Sequence, residues 1–203
     1  MGFLDLFKKK QSGEKLYPLG YKSGWIAIRS ESADDVIKKL KLRKIKFTDW
    51  NTGLDTAADR LDVLFVSQSV NGYVIITDAA EYLIDDEDDK TIKNIAQKFD
   101  CVMGFATHRV IEAHYWSKYI NGDCIRKYFY IGESGEVFSE GDISEEEKSL
   151  GLDKIYQTEE DYDNEELDFP DEDCVMQISK EWGVDPEMTG LTNVKGYIVK
   201  KGL

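Results

Sequence analysis

The chain has 203 residues, of which 41% are hydrophobic and 33% are charged, and this composition excludes a wholly disordered chain. Its 40 acidic and 26 basic residues give a formal charge of −14, which argues against a nucleic-acid-binding protein, because contact with phosphates requires a surplus of Lys and Arg. No apolar run approaches the roughly 18 residues of a membrane-spanning helix, so no stable membrane insertion is expected.

The distribution of charge along the chain suggests its organisation. Residues 1–50 hold 12 basic and 6 acidic residues, whereas residues 51–203 hold 14 basic and 34 acidic residues. A length of about 100–200 residues accommodates one ordinary domain. We therefore expect a flexible basic N-terminal segment at residues 1–15, followed by a single domain at residues 16–203 with an acidic loop at residues 159–173.

The cysteines indicate the compartment. The chain has three of them, at Cys101, Cys124 and Cys174, and no two have the spacing of a redox or zinc motif. Secreted scaffolds that depend on disulfides are richer in cysteine. The sequence therefore predicts reduced thiols and a cytoplasmic location.

The first half of the chain predicts a strand over residues 24–30 and an amphipathic helix over residues 33–42. A hairpin of two strands rich in β-branched and aromatic residues follows, at Val63–Ser67 and Tyr73–Thr77. Its turn contains Asn71-Gly72, the dipeptide that two-residue type I′ turns favour because both positions need a positive φ.

The second half predicts a helix over residues 88–99, a buried strand over residues 101–106 and a second hairpin closed by Asn121-Gly122. A capping box is predicted at Ser144 and Glu147, and a helix over residues 172–182. Hairpins outnumber crossovers, so the expected fold class is α+β, with a mostly antiparallel sheet built from hairpins and with helices packed on one face.

The only two histidines lie in one segment, THRVIEAHYW. If this segment is a strand, His108, Glu112 and His114 point to one side of it, and two imidazoles with a carboxylate are a common ligand set for a divalent metal. The two histidines would then be about 20 Å apart at ~3.3 Å per residue, so only a bend near Arg109 could bring them together. A metal or acid–base site at these residues is therefore an alternative, and no metal or other cofactor is expected.

The second hairpin also carries candidate partner-binding residues. A two-residue turn at Asn121-Gly122 predicts that Trp116 faces Lys127 across the hairpin. Aromatic side chains near Arg126 are typical of a recognition surface, and we therefore take Trp116 and Arg126 as candidate contacts. The same residue types also suit the buried side of a sheet beneath a helix, and the sequence leaves this alternative open.

Residues 159–173 hold ten acidic residues in fifteen positions and no basic residue. The run does not match a calcium-binding EF-hand loop, because Glu166 occupies the position of the obligatory glycine. It is either a solvated loop or a negatively charged arm for a basic partner. The candidate contacts in the arm are Glu159, Glu160, Asp161, Asp163, Glu165 and Glu166.

Parts of residues 45–190 resemble a recurrent pattern of uncharacterised bacterial cytosolic proteins. The matching residues are Thr107-His108-Arg109-Val110 with Glu112, His114 and Trp116, and the downstream Trp182-Gly183-Val184-Asp185-Pro186. The resemblance implies a compact bacterial domain, with a link to toxin-neutralising and self-recognition gene sets, and it implies no catalytic residue.

Three functional hypotheses follow from these observations. The first is an acidic binding protein, of the immunity or regulatory type, that docks a basic protein partner such as a toxin domain. The second is an enzyme or small-ligand-binding protein that uses His108, Glu112 and His114. The third is a structural domain with no ligand. We favour the first, because the surplus of carboxylates is large and no nucleotide-binding or nucleophile motif is present.

Overall fold

The structure is a computed structural model that describes residues 15–20, 22–84 and 89–203. The predicted flexible segment at residues 1–15 lies, apart from its last residue, outside the described residues. No helix of the described part of the chain has both the length and the apolar character needed to cross a membrane.

The described residues contain nine strands that form one sheet, with every neighbouring pair antiparallel. The order across the sheet is β2-β9-β3-β4-β1-β5-β6-β7-β8, so the last strand of the chain lies between β2 and β3. The strands are β1 (Gly24–Arg29), β2 (Arg43–Asp49), β3 (Val63–Ser67), β4 (Tyr73–Thr77), β5 (Cys101–His108), β6 (Ala113–Ile120), β7 (Asp123–Ile131), β8 (Glu136–Glu140) and β9 (Lys195–Lys200).

Five α-helices of the described residues pack against this sheet. They are α1 (Ala33–Lys39), α2 (Trp50–Asp59), α3 (Lys90–Ala96), α4 (Glu145–Ser149) and α5 (Glu172–Glu181). Short 3₁₀ turns lie at Ala80–Tyr82, Leu152–Lys154 and Glu159–Asp163. The predicted α+β class and the antiparallel sheet are confirmed, whereas β2 and α2 were not predicted.

The helices cover both faces of the sheet, so the expectation of helices on one face is wrong. Helices α1 and α3 pack on one face with Ile26, and α2 and α5 pack on the other with Trp25. We call these the α3 face and the α5 face. The physical reason is that strands such as β1 are apolar at successive positions, and a strand with two apolar sides must be covered on both.

Local signals placed several elements correctly. Asn71 and Asn121 have φ of 51°, and the glycines that follow them have φ of 86° and 89°, as type I′ turns require. The capping box of α4 is present, with the Ser144 hydroxyl accepting from the Glu147 amide and the Glu147 carboxylate accepting from the Ser144 amide.

The register of the second hairpin differs from the prediction. The pairs next to the turn, such as Ile120 with Asp123, follow it, but Ile125 is an extra residue that shifts the remaining pairs by one. Trp116 therefore faces Tyr128 and not Lys127. This β-bulge places Trp116 and Tyr128 together on the α5 face, because a shift of one residue reverses which side of the sheet a strand presents.

Candidate functional site

The candidate contacts on the second hairpin, Trp116 and Arg126, are inside the protein. Their exposed fractions are 0% and 1%. The Trp116 indole Nε1–H donates to Oε1 of Glu147 at 2.8 Å, and Nε of Arg126 donates to the two carboxylate oxygens of Glu147 at 2.9 and 3.1 Å. Neither side chain can contact a partner from this position, so the prediction that they form a partner surface is corrected.

The remaining donors of Arg126 are also satisfied within the protein. One terminal nitrogen donates to Ser139 Oγ at 2.7 Å, and the other donates to Gln157 Oε1 at 3.1 Å. Glu147 accepts from the amide and the hydroxyl of Ser144 at 2.9 and 2.8 Å. The group therefore joins β7, β8 and α4 and has a structural role.

The two histidines do not form a metal site. The segment THRVIEAHYW is a hairpin, in which β5 ends at His108 and β6 begins at Ala113. His108 pairs with Ala113 and Thr107 pairs with His114, so the two imidazoles point to opposite faces of the sheet. Among the described residues, no three His, Cys, Asp or Glu side chains are placed to hold a metal ion.

His114 is held on the α5 face with one ring nitrogen engaged. It is 4% exposed, its Nδ1 lies 3.3 Å from Thr107 Oγ1, and its ring is parallel to that of Tyr130 at 6.2 Å. Within the described part of the chain, its Nε2 has no hydrogen-bond partner. Burial lowers the pKa of His114 to about 4, against the opposite effect of Asp171 and Glu172, so the ring is neutral at pH 7.

His114 lines an open cavity of about 550 Å³, which we call the acidic pocket. The pocket lies where the β5–β6 turn meets the start of α5 and the end of the acidic segment. Its lining includes aromatic rings, four carboxylates and one arginine. The lining residues are Arg109, Glu112, His114, Tyr130, Gly132, Tyr162, Phe169, Pro170, Asp171, Glu172 and Asp173.

Among the described residues of the lining, the one cation is Arg109, and a carboxylate of the same lining already binds it. Arg109 donates from Nε and a terminal nitrogen to the two oxygens of Glu172, at 3.1 and 2.7 Å. Asp171 caps α5, and its Oδ1 accepts from the Cys174 amide at 3.0 Å. Because the Arg109–Glu172 pair is neutral as a unit, the carboxylates of Glu112 and Asp171 leave the pocket negatively charged.

The carboxylate of Glu112 is exposed at the edge of the pocket. Its backbone has a φ of 49°, a conformation that non-glycine residues seldom adopt, and the Gly132 amide donates to its carbonyl at 3.1 Å. The Glu112 side chain lies over Gly132, where an added Cβ would come within 2.3 Å of Oε2. A glycine at position 132 therefore leaves the space that this side chain occupies.

A cluster of aromatic rings forms one wall of the pocket. The ring of Tyr156 lies 5.5 Å from that of Tyr162 and 4.5 Å from that of Phe169, and Phe169 lies 6.1 Å from Tyr130. Tyr162 and Phe169 remain 42% and 53% exposed. The wall therefore combines a buried ring, that of Tyr156, with exposed aromatic surface that a ligand can contact.

The acidic segment is attached to the rest of the chain by its backbone. The Tyr156 backbone amide donates to the Asp168 carbonyl at 3.2 Å, and the Asp168 amide donates to the Lys154 carbonyl at 2.9 Å. Asp161 accepts from the backbone amides of Gln157 and Thr158, and these bonds lower its pKa.

The six predicted acidic contacts divide according to these surroundings. Asp161 is occupied in fixing the backbone, and the side chain of Asp163 lies outside the described residues. The other four carboxylates are exposed and have no hydrogen bond or ion pair with described residues; they belong to Glu159, Glu160, Glu165 and Glu166.

Several residues of the acidic pocket were not singled out from the sequence as site residues, notably Arg109, Tyr130 and Phe169. Arg109 and Glu172 are 63 residues apart, so no local pattern indicates that they form a pair. The one available signal was Phe169-Pro170, a large apolar residue followed by proline within a run of mostly acidic residues.

Comparison with protein-family models, with curated proteins and with solved structures finds no match to this chain. The resemblance to bacterial cytosolic proteins therefore stays a prediction.

Proposed function

We propose that this chain is a cytoplasmic binding protein, of the immunity or regulatory type, that docks a basic protein partner. A toxin domain is the partner class that the resemblance suggests. One observation carries the proposal: Glu159, Glu160, Glu165 and Glu166 are exposed without a counter-ion among the described residues, on a backbone that hydrogen bonds and ring contacts hold in place.

An acidic surface on a fixed backbone favours binding for two physical reasons. A segment that is already ordered loses less conformational entropy on association than a free loop does. Opposite charges on the two proteins also raise the rate of encounter and disfavour acidic competitors. The chain's formal charge of −14 adds to both electrostatic effects.

The aromatic surface next to the carboxylates distinguishes this segment from a loop that is only solvated. Tyr162 and Phe169 are large side chains left about half exposed beside the acidic residues. Protein interfaces combine exposed aromatic side chains with charged groups at the rim. The segment therefore offers apolar contact area as well as charge.

The proposal is tested with the full chain, tagged and returned to its native host. A variant with Glu159, Glu160, Glu165 and Glu166 all changed to Gln is compared with a charge-matched control in which exposed acids elsewhere are neutralised, namely Asp59, Asp100, Glu181 and Glu187. We expect the wild type and the control to capture the same basic protein at low salt, and the first variant to lose it. Raising the salt concentration should release the partner, because charge pairs at an interface rim are screened.

Two results would overturn the proposal. One is equal capture by the two variants, because binding would then depend on overall charge and not on the acidic segment. The other is a captured partner that is itself acidic.

A further inference from the structure

The acidic pocket contains more than a docking surface for a basic protein needs. The exposed rings of Tyr162 and Phe169 line one side, and the carboxylate of Glu112, which has no ion pair among the described residues, lies at the edge. His114, nearly fully buried, contributes a ring nitrogen with no hydrogen-bond partner among the described residues. An open cavity that combines aromatic surface with separate hydrogen-bond acceptors is suited to a planar cation that carries several N–H donors.

We propose that the acidic pocket binds the guanidinium group of an arginine side chain presented by the partner. The proposal rests on the proposed function, since the arginine is taken to belong to the basic protein. The guanidinium stacks on one of the two exposed rings, Tyr162 or Phe169, whose planes are inclined to each other by 71°, packs against the other ring, and donates hydrogen bonds to the carboxylate of Glu112.

The charge of the lining selects a cation over an anion. Four carboxylates and one arginine line the pocket, and Glu172 already holds the guanidinium of Arg109 through two hydrogen bonds. An incoming carboxylate or phosphate would meet Glu112 and Asp171 with no unpaired cation among the described residues of the lining to offset them. A cation would be attracted by the same two groups.

The shape of the lining selects a guanidinium over an ammonium. A guanidinium is planar and weakly hydrated, so it stacks on aromatic faces, and its donors form a fork that matches a carboxylate. An ammonium is a strongly hydrated point charge that gains less from flat rings. The Arg109–Glu172 pair shows that this fork geometry already occurs at the edge of the same pocket.

His114 supplies an acceptor without adding charge. In the tautomer that carries its proton on Nδ1 and donates to Thr107 Oγ1, the free Nε2 accepts a hydrogen bond from a bound N–H group. Burial keeps the pKa of His114 near 4, so at pH 7 the ring does not repel a cation.

The proposal is tested by titrating the full ¹⁵N-labelled chain with N-acetyl-L-arginine methylamide and following backbone amide shifts by NMR. The matched probe is the citrulline derivative, which replaces the guanidinium by a neutral group of the same shape. We expect amide shifts at residues 109–114, 169 and 171–173 with the arginine probe, and binding of the citrulline probe about tenfold weaker or more. The corresponding lysine and glutamate derivatives are expected to bind more weakly than the arginine probe.

Protein variants localise the site. We expect Glu112→Gln to weaken binding of the arginine probe about fivefold, and Glu165→Gln, an equal change of charge outside the lining, to change it less than about twofold. Equal binding of the arginine and citrulline probes, tighter binding of the glutamate probe, or equal effects of the two variants would each overturn the proposal.

Two further measurements separate the possible sources of the guanidinium and separate this proposal from the proposed function. A short capped peptide with one central arginine should bind more tightly than n-butylguanidinium, a free guanidinium of the same charge; the opposite order would overturn the peptide source. Binding of the arginine probe without capture of a basic partner would contradict the proposed function alone. Capture of a basic partner that is unaffected by Glu112→Gln would contradict the pocket assignment alone.

Discussion

The Arg126–Glu147 pair and the acidic segment at residues 159–173 carry charge in opposite surroundings. In the pair, both side chains are almost completely buried, and Nε of Arg126 lies 2.9 Å from Glu147 Oε1. In the segment, four carboxylates face outward without an ion pair among the described residues. The buried pair holds elements of one chain together, whereas the exposed carboxylates are available to another molecule.

This difference shows what decides the role of a charged residue. A buried charge is tolerated only if counter-charge and hydrogen bonds replace the water that it loses, and Glu147, Ser139 and Gln157 do this for Arg126. An exposed carboxylate keeps its water and needs no partner within the chain. Disrupting the two regions should therefore affect different measurements, stability in one case and binding in the other.

The largest expected effect follows from removing the charge of Glu147. Glu147→Gln leaves the Arg126 guanidinium buried without its counter-charge, and we expect the free energy of unfolding to fall by about 3–5 kcal/mol. Urea unfolding followed by tryptophan fluorescence measures this. The exposed Glu145 of the same helix is the control, and Glu145→Gln should cost under ~1 kcal/mol. Similar losses of unfolding free energy for the two variants would contradict the contrast between buried and exposed charges.

The next effect is a pH dependence of stability caused by His114. The unfolded chain takes up a proton near the ordinary pKa of 6.5, whereas the folded chain does so near 4. The contribution of neutral His114 to the free energy of unfolding is therefore fully present above about pH 6.5 and is lost as the pH falls toward 4. The largest possible loss is about 3 kcal/mol. Asp171, which caps α5, and Glu172 oppose the shift, and Arg109, Glu112 and Asp173 also line the pocket.

The variant His114→Gln isolates this dependence from the titration of the carboxylates. Unfolding free energies of the wild type and the variant are measured between pH 7 and pH 4. We expect the difference in favour of the wild type to shrink steadily as the pH falls. A difference that does not change with pH would show that His114 is not protonated on unfolding.

A smaller effect is expected at the exposed ion pair of the pocket. The side chains of Arg109 and Glu172 are 50% and 27% exposed, so water screens their attraction. A double-mutant cycle with Arg109→Gln and Glu172→Gln should give a coupling of at most about 1 kcal/mol. A coupling as large as that of the buried pair would remove the contrast between the two regions.

The smallest effect on stability is expected in the acidic segment itself. The variant with Gln at positions 159, 160, 165 and 166 removes exposed like charges and no hydrogen bond of the described residues, so its unfolding free energy should change by about 0.5 kcal/mol or less. Thermal unfolding at equal salt measures this. A large loss would mean that these carboxylates stabilise the fold, and would weaken their assignment to a partner.

Elements with strong local signals were predictable from the sequence. The β3–β4 hairpin has the predicted strand bounds, and its Asn71-Gly72 turn has the predicted positive φ angles. The capping box of α4 was also predictable, because its two residues interact with their own neighbours. In each case, the chemistry that specifies the structure lies within a few residues.

The β5–β6 hairpin was not predictable in this way. Residues 109–112 contain no glycine, proline or asparagine, and the reversal needs a positive φ at Glu112. Amides of Gly132 and Glu133, at the end of β7, donate to carbonyls of this turn at 3.1 and 3.4 Å. A distant part of the chain therefore stabilises a turn that its own residues do not specify.

Helix α2 was missed for a related reason. Gly53 lies in its middle, and glycine disfavours a helix interior. An added Cβ at this position would lie 2.3 Å from the ring of Phe65, so the glycine allows the helix to approach β3 closely. Packing against the sheet, and not local propensity, explains this helix.

The sequence by itself determined the α+β class, both Asn-Gly turns, the α4 and α5 caps and the excess of carboxylates, because each depends on composition or on residues that are neighbours in the chain. Only the tertiary structure decided which charges are buried, which face each histidine occupies and that a pocket forms beside α5. Those outcomes depend on strand register and on counter-groups far away in the chain, as with Arg109 and Glu172, and no local pattern contains that information.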